Sequence, residues 1–524
     1  MNLLTADVKT LCALLQSGEL SSESLVQLYV SQIHKYNGYL RAVLYIAPEQ
    51  DVLQRAKALD KERAEGRVRG PLHGIPILLK DNIATHPDFG MPTSAGNTAF
   101  LESRPSKNAA VVDMLLAAGM LVIGKTNLSE LSSFKKVSGR SCRTEELTNF
   151  RAMNMPGGWS AVGGQTQSAY VRGGFQVDDS RDGHSSPSGS SSGSAVAVSA
   201  GFTPLALGTE TIGSIMFPSG RAALYSMKPT SALVSLDGIV PVSHNLDSAG
   251  PMAKSPYDLA LLLDAVVVRR HEEEGAESYT KAMTDSWSEI SVGTLDPEKW
   301  ALPPSMLKPI AEATVQINKE IKAAYTRLES LAKSVKHSVP LPSPGVFVLK
   351  GKSSEMMVQL TDFPDDLKNY VDSLETTPIR TLEELIIWNE EHAEEELPPY
   401  APNQDSLLRA RDLELSKEEY GQHLEHLRSM ARDEGVEKIL KEYEVDIIMG
   451  PCDSPLPLFA ACGGYPVISL PLGYLDYNGR PFGLIALGPR HDEALLIKVA
   501  SAWEATFGPR QLPDLEGIRD GHTQ

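Results

Sequence analysis

The sequence predicts an α/β fold around a mainly parallel sheet, because three stretches each carry a short buried run and two of them pair it with a small apolar helix. Residues 75–79, inside GPLHGIPILLKDN, form a continuous apolar run of strand length that ends on Lys80. Residues 109–125, AAVVDMLLAAGMLVIGK, read as helix, glycine, strand. Residues 187–218, PSGSSSGSAVAVSAGFTPLALGTETIGSIMFP, repeat that order between two glycine-flanked serine turns. There 195–200 is a short buried helix stopped by Gly201, and 205–207 is a buried strand. The turns carry Ser190 and Ser214, 24 residues apart, and the helix and strand between them return both to one end of the unit.

The other elements follow in chain order. Leu25, Tyr29 and Ile33 recur at helical spacing behind the serines of 20–24, which supply a cap for a first amphipathic helix. A second helix is expected over 49–65. The glycine-rich and polar segment 157–174 reads as ordered loop. From 272 to about 420 the character changes to acidic helical stretches such as 382–396, whose glutamates suit a solvated helix face, and to the proline-rich 340–344. Buried strands return after 445 in VDIIMGP and YPVISLPLG. The middle region, 272–444, is therefore expected to be a variable helical insertion whose flanks rejoin one core and which forms part of the substrate pocket, within a single domain over 1–524.

The totals restrict function. The 524 residues, 42% hydrophobic and 22% charged, suit a large buried core, and no linker divides them. A formal charge of −18 argues against nucleic acid or an anionic membrane as partner. No run reaches the roughly 18 apolar residues of a membrane span, and the first twenty residues lack a signal peptide's pattern, so a cytoplasmic protein is expected. Cys12, Cys142, Cys452 and Cys462 are scattered without metal-ligand spacing, which suits reduced thiols.

The serine turns admit several chemistries. As a flexible linker they would not run straight into a buried helix and strand. An anion-binding loop at a helix N-terminus is compatible, but the lysine followed by Ser/Thr of a nucleotide P-loop is missing. Gly189-Ser190-Ser191-Ser192-Gly193 formally fits G-x-S-x-G, which would make Ser191 a nucleophile with His491 or His184 as base. That motif needs a strand leading into it, and 177–187 is polar and ends in proline. His73, beside the lysine strand, is expected to be a hydrogen-bonded structural histidine.

Taken together, the segments resemble the amidase signature family, particularly its fungal-type amidases. The matching parts are GPLHGIPILLKDN at 70–82, MPTSAG at 91–96, GKTNLSEL at 124–131, GWSAVGGQTQSAYVRGG at 158–174, SSPSGSSSGSAVAVSAG at 185–201, LGTETIGSI at 207–215 and MKPT at 227–230. GPMAKS at 250–255 and GYPVISLPLG at 464–473 continue the series. The resemblance implies one large α/β domain with a mixed central sheet surrounded by helices. It also implies a hydrolase of carboxamide C–N bonds in linear amides, acting through an acyl-enzyme on a small-molecule amide. The family's Lys-Ser-Ser triad falls on Lys80 as base, Ser190 as bridging serine held by an unusual cis peptide bond, and Ser214 as nucleophile. Backbone N–H groups of Thr211, Ile212, Gly213 and Ser214 would form the oxyanion hole, with Ser191 in support. The family match calls for no metal and no organic cofactor, and it leaves a homodimer open. Two other activities are weighed: acyl transfer or amide formation by the same triad, and a non-catalytic binding or scaffold member of the family. An amidotransferase subunit is disfavoured, since 157–174 resembles the stand-alone enzymes more.

Two departures from the family pattern stand out. Ile212 occupies a position where family members carry Gly, or in the fungal type commonly Asp. Between 131 and 151 the chain carries an apparent insert, since LSSFKK at 131–136 and LTNFRA at 147–152 both resemble one family stretch. If 135–147 is an addition outside the core, its removal should leave the fold intact.

Overall fold

Eleven strands hydrogen-bond into one sheet in the computed structural model, which describes residues 1–135, 155–177, 179–268, 277–399 and 401–520. In chain order they are β1 (Val43–Ile46), β2 (Pro76–Lys80), β3 (Leu121–Thr126), β4 (Leu205–Glu210), β5 (Tyr225–Lys228), β6 (Ser248–Ala253), β7 (Ser291–Thr294), β8 (Ser334–Lys336), β9 (Ile447–Pro451), β10 (Val467–Tyr474) and β11 (Pro481–Leu487). Across the sheet the order is β1-β3-β2-β4-β6-β5-β10-β11-β9-β7-β8. The pairs β3-β2, β2-β4, β9-β7 and β7-β8 are parallel, and the other neighbours are antiparallel. The expectation of a mainly parallel sheet is thus corrected to a mixed one, as the family resemblance implied. The physical reason lies in short returns: β10 and β11 are joined by a six-residue loop through Asn478-Gly479, with Gly479 at φ 80°, which folds the chain straight back as a hairpin.

The predicted helices lie close to where the periodicity puts them. Ser22–Leu40 starts on a capping box at Ser21, Glu49–Ala64 follows, and Ala110–Ala117 precedes β3. Ser192–Ser199 is buried along its whole length, as its run of Ala, Val, Ser and Gly allows, and Gly201 adopts φ 70° just beyond it. No described helix is long and apolar enough to cross a membrane.

The region 272–444 is not helical throughout, which corrects the expectation of a helical insertion. It contributes β7 and β8 to the sheet edge, and the helix Ala311–Glu329 lies between these two parallel strands in the chain. Its helices Ser354–Asp372, Leu382–Glu391 and Asp405–Asp412 share a second apolar cluster with Ala95, Phe100, Leu131 and Phe134 of the preceding chain. Beside that cluster Lys135 is buried. Its Nζ meets Glu130 Oε1 at 2.6 Å, Glu396 Oε2 at 2.5 Å and the Glu396 carbonyl at 2.6 Å. Lys135 therefore belongs to the core and not to an external addition, because its charge is the one that two buried carboxylates share. The rest of the apparent insert, 136–147, lies outside the described residues, as does Cys142; Cys12, Cys452 and Cys462 are free thiols.

Candidate active site

β2 lies between β3 and β4, with Ile77, Leu78 and Leu79 opposite Leu205, Ala206 and Leu207. That register carries Lys80, the last residue of β2, to the end of β4, where it is fully buried. Its Nζ donates to Ser190 Oγ at 2.7 Å, Thr209 Oγ1 at 2.8 Å and the Thr209 carbonyl at 3.1 Å. Burial pushes the Lys80 pKa down to about 7, with the carboxylates of Asp247 and Glu210 opposing the fall. A lysine in this setting exchanges protons near neutral pH.

Ser190 brings the first serine turn to this amine, and the second turn is tied to the first. Ser191 N donates to the Ser214 carbonyl at 3.0 Å, which ties the turn before the buried helix to the turn after β4. Gly189 and Gly213 are required there. At φ 60° and 76° they hold backbone conformations that side chains disfavour, and a Cβ would lie 2.3 Å from Pro218 Cδ or from the Phe217 ring, respectively. Ser129 holds the first turn from the other side, its N–H on the Ser190 carbonyl at 3.1 Å and its hydroxyl on the Gly189 carbonyl at 3.0 Å. Among the described residues no peptide bond is cis, so the cis bond implied for Ser190 is not present; backbone hydrogen bonds and the positive φ values of Ser188 and Gly189 set the turn instead. Ser191 Oγ donates to the Thr209 carbonyl at 2.9 Å and accepts from Thr209 N at 3.2 Å.

In the turn after β4, the Glu210 carboxylate accepts from Ile215 N at 2.6 Å and Met216 N at 2.9 Å, and the Gly213 amide also faces it. Burial raises the Glu210 pKa while these amides oppose the rise. The N–H groups of Thr211, Ile212 and Ser214 have no internal acceptor among the described residues. Thr211 Oγ1 donates to Asp247 Oδ1 at 2.5 Å, and Asp247 Oδ2 accepts from Val242 N and Ser243 N at 2.7 and 3.0 Å. Ile212 is half-buried beside them.

Thr209 and Asp247 were not singled out from the sequence. Thr209 is the hub that touches Lys80, Ser191 and, at 3.0 Å, Asn82 Nδ2. Its one outward signal is the alternation of threonines in LGTETIGS. Nor was the buried Asp81–Lys125 pair: Lys125 Nζ reaches Asp81 Oδ1 at 3.4 Å and Thr93 Oγ1 at 2.9 Å, while Ser94 Oγ bonds the other Asp81 oxygen. This brace clamps the residue after Lys80. His73 is buried with Nε2 2.9 Å from the Leu59 carbonyl, a structural histidine. The G-x-S-x-G reading fails on its own requirement, since no strand occupies the described residues of 177–187. His184 is buried, and burial with two nearby guanidiniums takes its pKa down to about 3. A surface cavity of about 700 Å³, walled by Tyr170, Arg172, Glu320 and Asp476 among others, contains none of the predicted site residues.

With the sheet and this site in place, the class of protein is defined: the chain belongs to the amidase family, whose model matches residues 24–497. A probable amidase of Arabidopsis thaliana is 32% identical over 94% of this chain and 88% of its own length. A Schizosaccharomyces pombe relative, named provisionally as an amidase, is 30% identical over 94% of this chain and 83% of its own. Among solved structures, the native peptide amidase of Stenotrophomonas maltophilia superposes with a TM-score of 0.82 at 33% identity, covering 98% of this chain and 99% of that one. The protein is an amidase-family enzyme of the amide-hydrolysing kind.

Proposed function

We propose that the protein hydrolyses the C–N bond of small linear carboxamides through an acyl-enzyme on Ser214, with Ser190 and Lys80 as its proton path. The observation that carries this reading is the buried Lys80 amine 2.7 Å from Ser190 Oγ. A neutral amine has two N–H groups and one lone pair. The Thr209 carbonyl can only accept and takes one N–H, and the Thr209 hydroxyl, which accepts from Lys80 as well as from Asn82, takes the other. Ser190 is then the hydroxyl that donates to the lone pair, so its oxygen is free to take a proton from Ser214.

In the forward step Ser214 Oγ attacks the amide carbonyl while its proton passes to Ser190 and the Ser190 proton to Lys80. The proton returns along the same path to the departing amine, and water repeats the sequence on the ester. The free amides of Thr211, Ile212 and Ser214 supply donors for the oxyanion. Gly213, which faces Glu210, contributes to that hole by shaping the turn. Loss of one such donor costs about 10²–10³ in rate. The peptide amidase among the structural neighbours favours a carboxamide substrate.

The test is Ser214→Ala against an amide panel: turnover should fall by about three orders of magnitude or more with the melting temperature unchanged, because one hydroxyl and no core volume is lost. Product formed only when an amine acceptor is added to the wild type would favour acyl transfer. A wild type inert to both would favour a binding role.

A further inference from the structure

A buried charge cluster lies beside the two serine turns and takes no part in that proton path. Arg221, immediately after the helix Met216–Gly220, spends all its donors. Nε and Nη2 reach Asp453 Oδ1 at 3.2 and 3.0 Å, Nη1 the carbonyls of Gly183 and Ser186 at 2.6 and 3.3 Å, and Nη2 also the Asp182 carbonyl at 2.7 Å. Arg480 is different. It is fully buried, its Nη1 donates to Asp453 Oδ2 at 2.7 Å, and its Nε and Nη2 have no acceptor among the described residues. His184 Nδ1, also buried, has none either.

Two guanidiniums thus share the Asp453 carboxylate, and the nearby carboxylates bond to other groups, Asp182 Oδ2 lying 3.5 Å from Arg181 Nε. Asp182 Oδ1 accepts from Ser188 Oγ and Gly189 N, and Asp179 from Ser180 N, Ser185 N and Ser185 Oγ. The histidine stays neutral, and Arg480 Nε and Nη2 and His184 Nδ1 are buried polar atoms left without partners among the described residues, which is unfavourable. Asn478 ties the backbones of the two residues together, its Nδ2 on the His184 carbonyl at 3.1 Å and its Oδ1 accepting from Arg480 N at 3.0 Å. The Tyr477 ring stands edge-on to the imidazole at 6.2 Å.

We propose that the Nε/Nη2 edge of Arg480, together with Nδ1 of His184 in the tautomer that places the imidazole proton there, binds a small oxyanion. That edge presents two parallel N–H groups, the geometry that a carboxylate or phosphate oxygen pair matches. The anion would satisfy these unpartnered donors next to the two serine turns. Asp182 braces the residues just before Ser190, Arg221 closes the helix that follows Ser214, and the Cys452 thiol, adjacent to Asp453, donates to the Met216 carbonyl at 3.1 Å. The same chemistry fits a free inorganic or organic anion and a carboxylate carried by the substrate.

Two arms separate these sources. In the first, wild-type protein is titrated with acetate and with inorganic phosphate at constant ionic strength, with acetamide as the neutral control. A free-anion site gives a saturable rise in Tm on the order of 1–3 °C with the anions alone. Arg480→Lys, which keeps the charge and loses the fork, should then weaken the midpoint by about tenfold or more. The second arm rests on the amidase reading and compares kcat/KM for an amide bearing a free carboxylate with its methyl ester. A substrate site shows a preference for the carboxylate that falls about tenfold or more in Arg480→Lys. A wild type with neither a saturable anion response nor a carboxylate preference overturns the proposal, as does an Arg480→Lys protein that responds like the wild type. Because the first arm needs no turnover, failure of the amidase reading alone leaves it intact.

Discussion

The pH dependence of turnover follows from the burial of Lys80. Its pKa is lowered from 10.5 to about 7, chiefly by desolvation at the end of β2. On the proposed proton path the neutral amine is the base, so activity should be absent at low pH and appear as the group deprotonates. With a midpoint of about 7, kcat/KM should rise about tenfold between pH 6 and pH 8 and level off by about pH 9. A lysine left at 10.5 would give a rise of about a hundredfold over the same interval, with no plateau before pH 10. The Asp247 and Glu210 carboxylates hold the proton on Lys80, so Asp247→Asn should move the midpoint to lower pH even as it frees Thr211. The assay is kcat/KM for one neutral amide across pH 5–10 in overlapping buffers. A profile that climbs without a plateau, or one that is flat across the range, would refute the argument from desolvation.

Other outcomes test other parts of the account. Glu396→Gln removes one of the two carboxylates around Lys135, while Lys135→Met leaves two buried carboxylates without their cation. The lysine variant should lose about 3–5 kcal/mol by denaturant titration and the glutamate variant clearly less, because Glu130 still pairs with the amine. Equal stability of Lys135→Met and wild type would return Lys135 to an external loop. Ile212 is β-branched, half-buried and in the turn proposed to hold the oxyanion, so the wild type should favour apolar acyl groups over small polar amides. Ile212→Gly should broaden the range, and Ile212→Asp should disfavour apolar acyl groups by about 1–3 kcal/mol in kcat/KM. If both keep the wild-type order across an acyl-chain series, Ile212 does not line the pocket.

Much of the site was legible because it is written in contiguous segments. An apolar run of strand length ending on a lysine carries Lys80 into the core, and the helix and strand between Ser190 and Ser214 bring their turns back together. Strand direction was less accessible. Buried parallel strands and buried antiparallel ones have the same apolar run, so nothing in 205–207 or 467–474 reveals the neighbour's direction. β6 reads SAGPMA, whose Gly and Pro obscure a strand that the sheet nonetheless pairs on both sides. β7 and β8 are short and lie among acidic helices. Thr209 and Asp247 are ordinary polar residues until the sheet places them against Lys80 and Thr211, contacts between positions far apart in sequence. The role of Lys135 depends on Glu396, which is equally remote.

Covalent labelling distinguishes Ser214 as the nucleophile from its neighbour across the turns, Ser191. Wild-type protein is treated with a serine-directed fluorophosphonate at pH 8, digested, and the modified residue located by peptide mass. The account predicts a single adduct on Ser214, lost in Ser214→Ala and strongly slowed in Lys80→Met, with turnover falling in step with labelling. An adduct on Ser191, or full turnover surviving in Ser214→Ala, would contradict it.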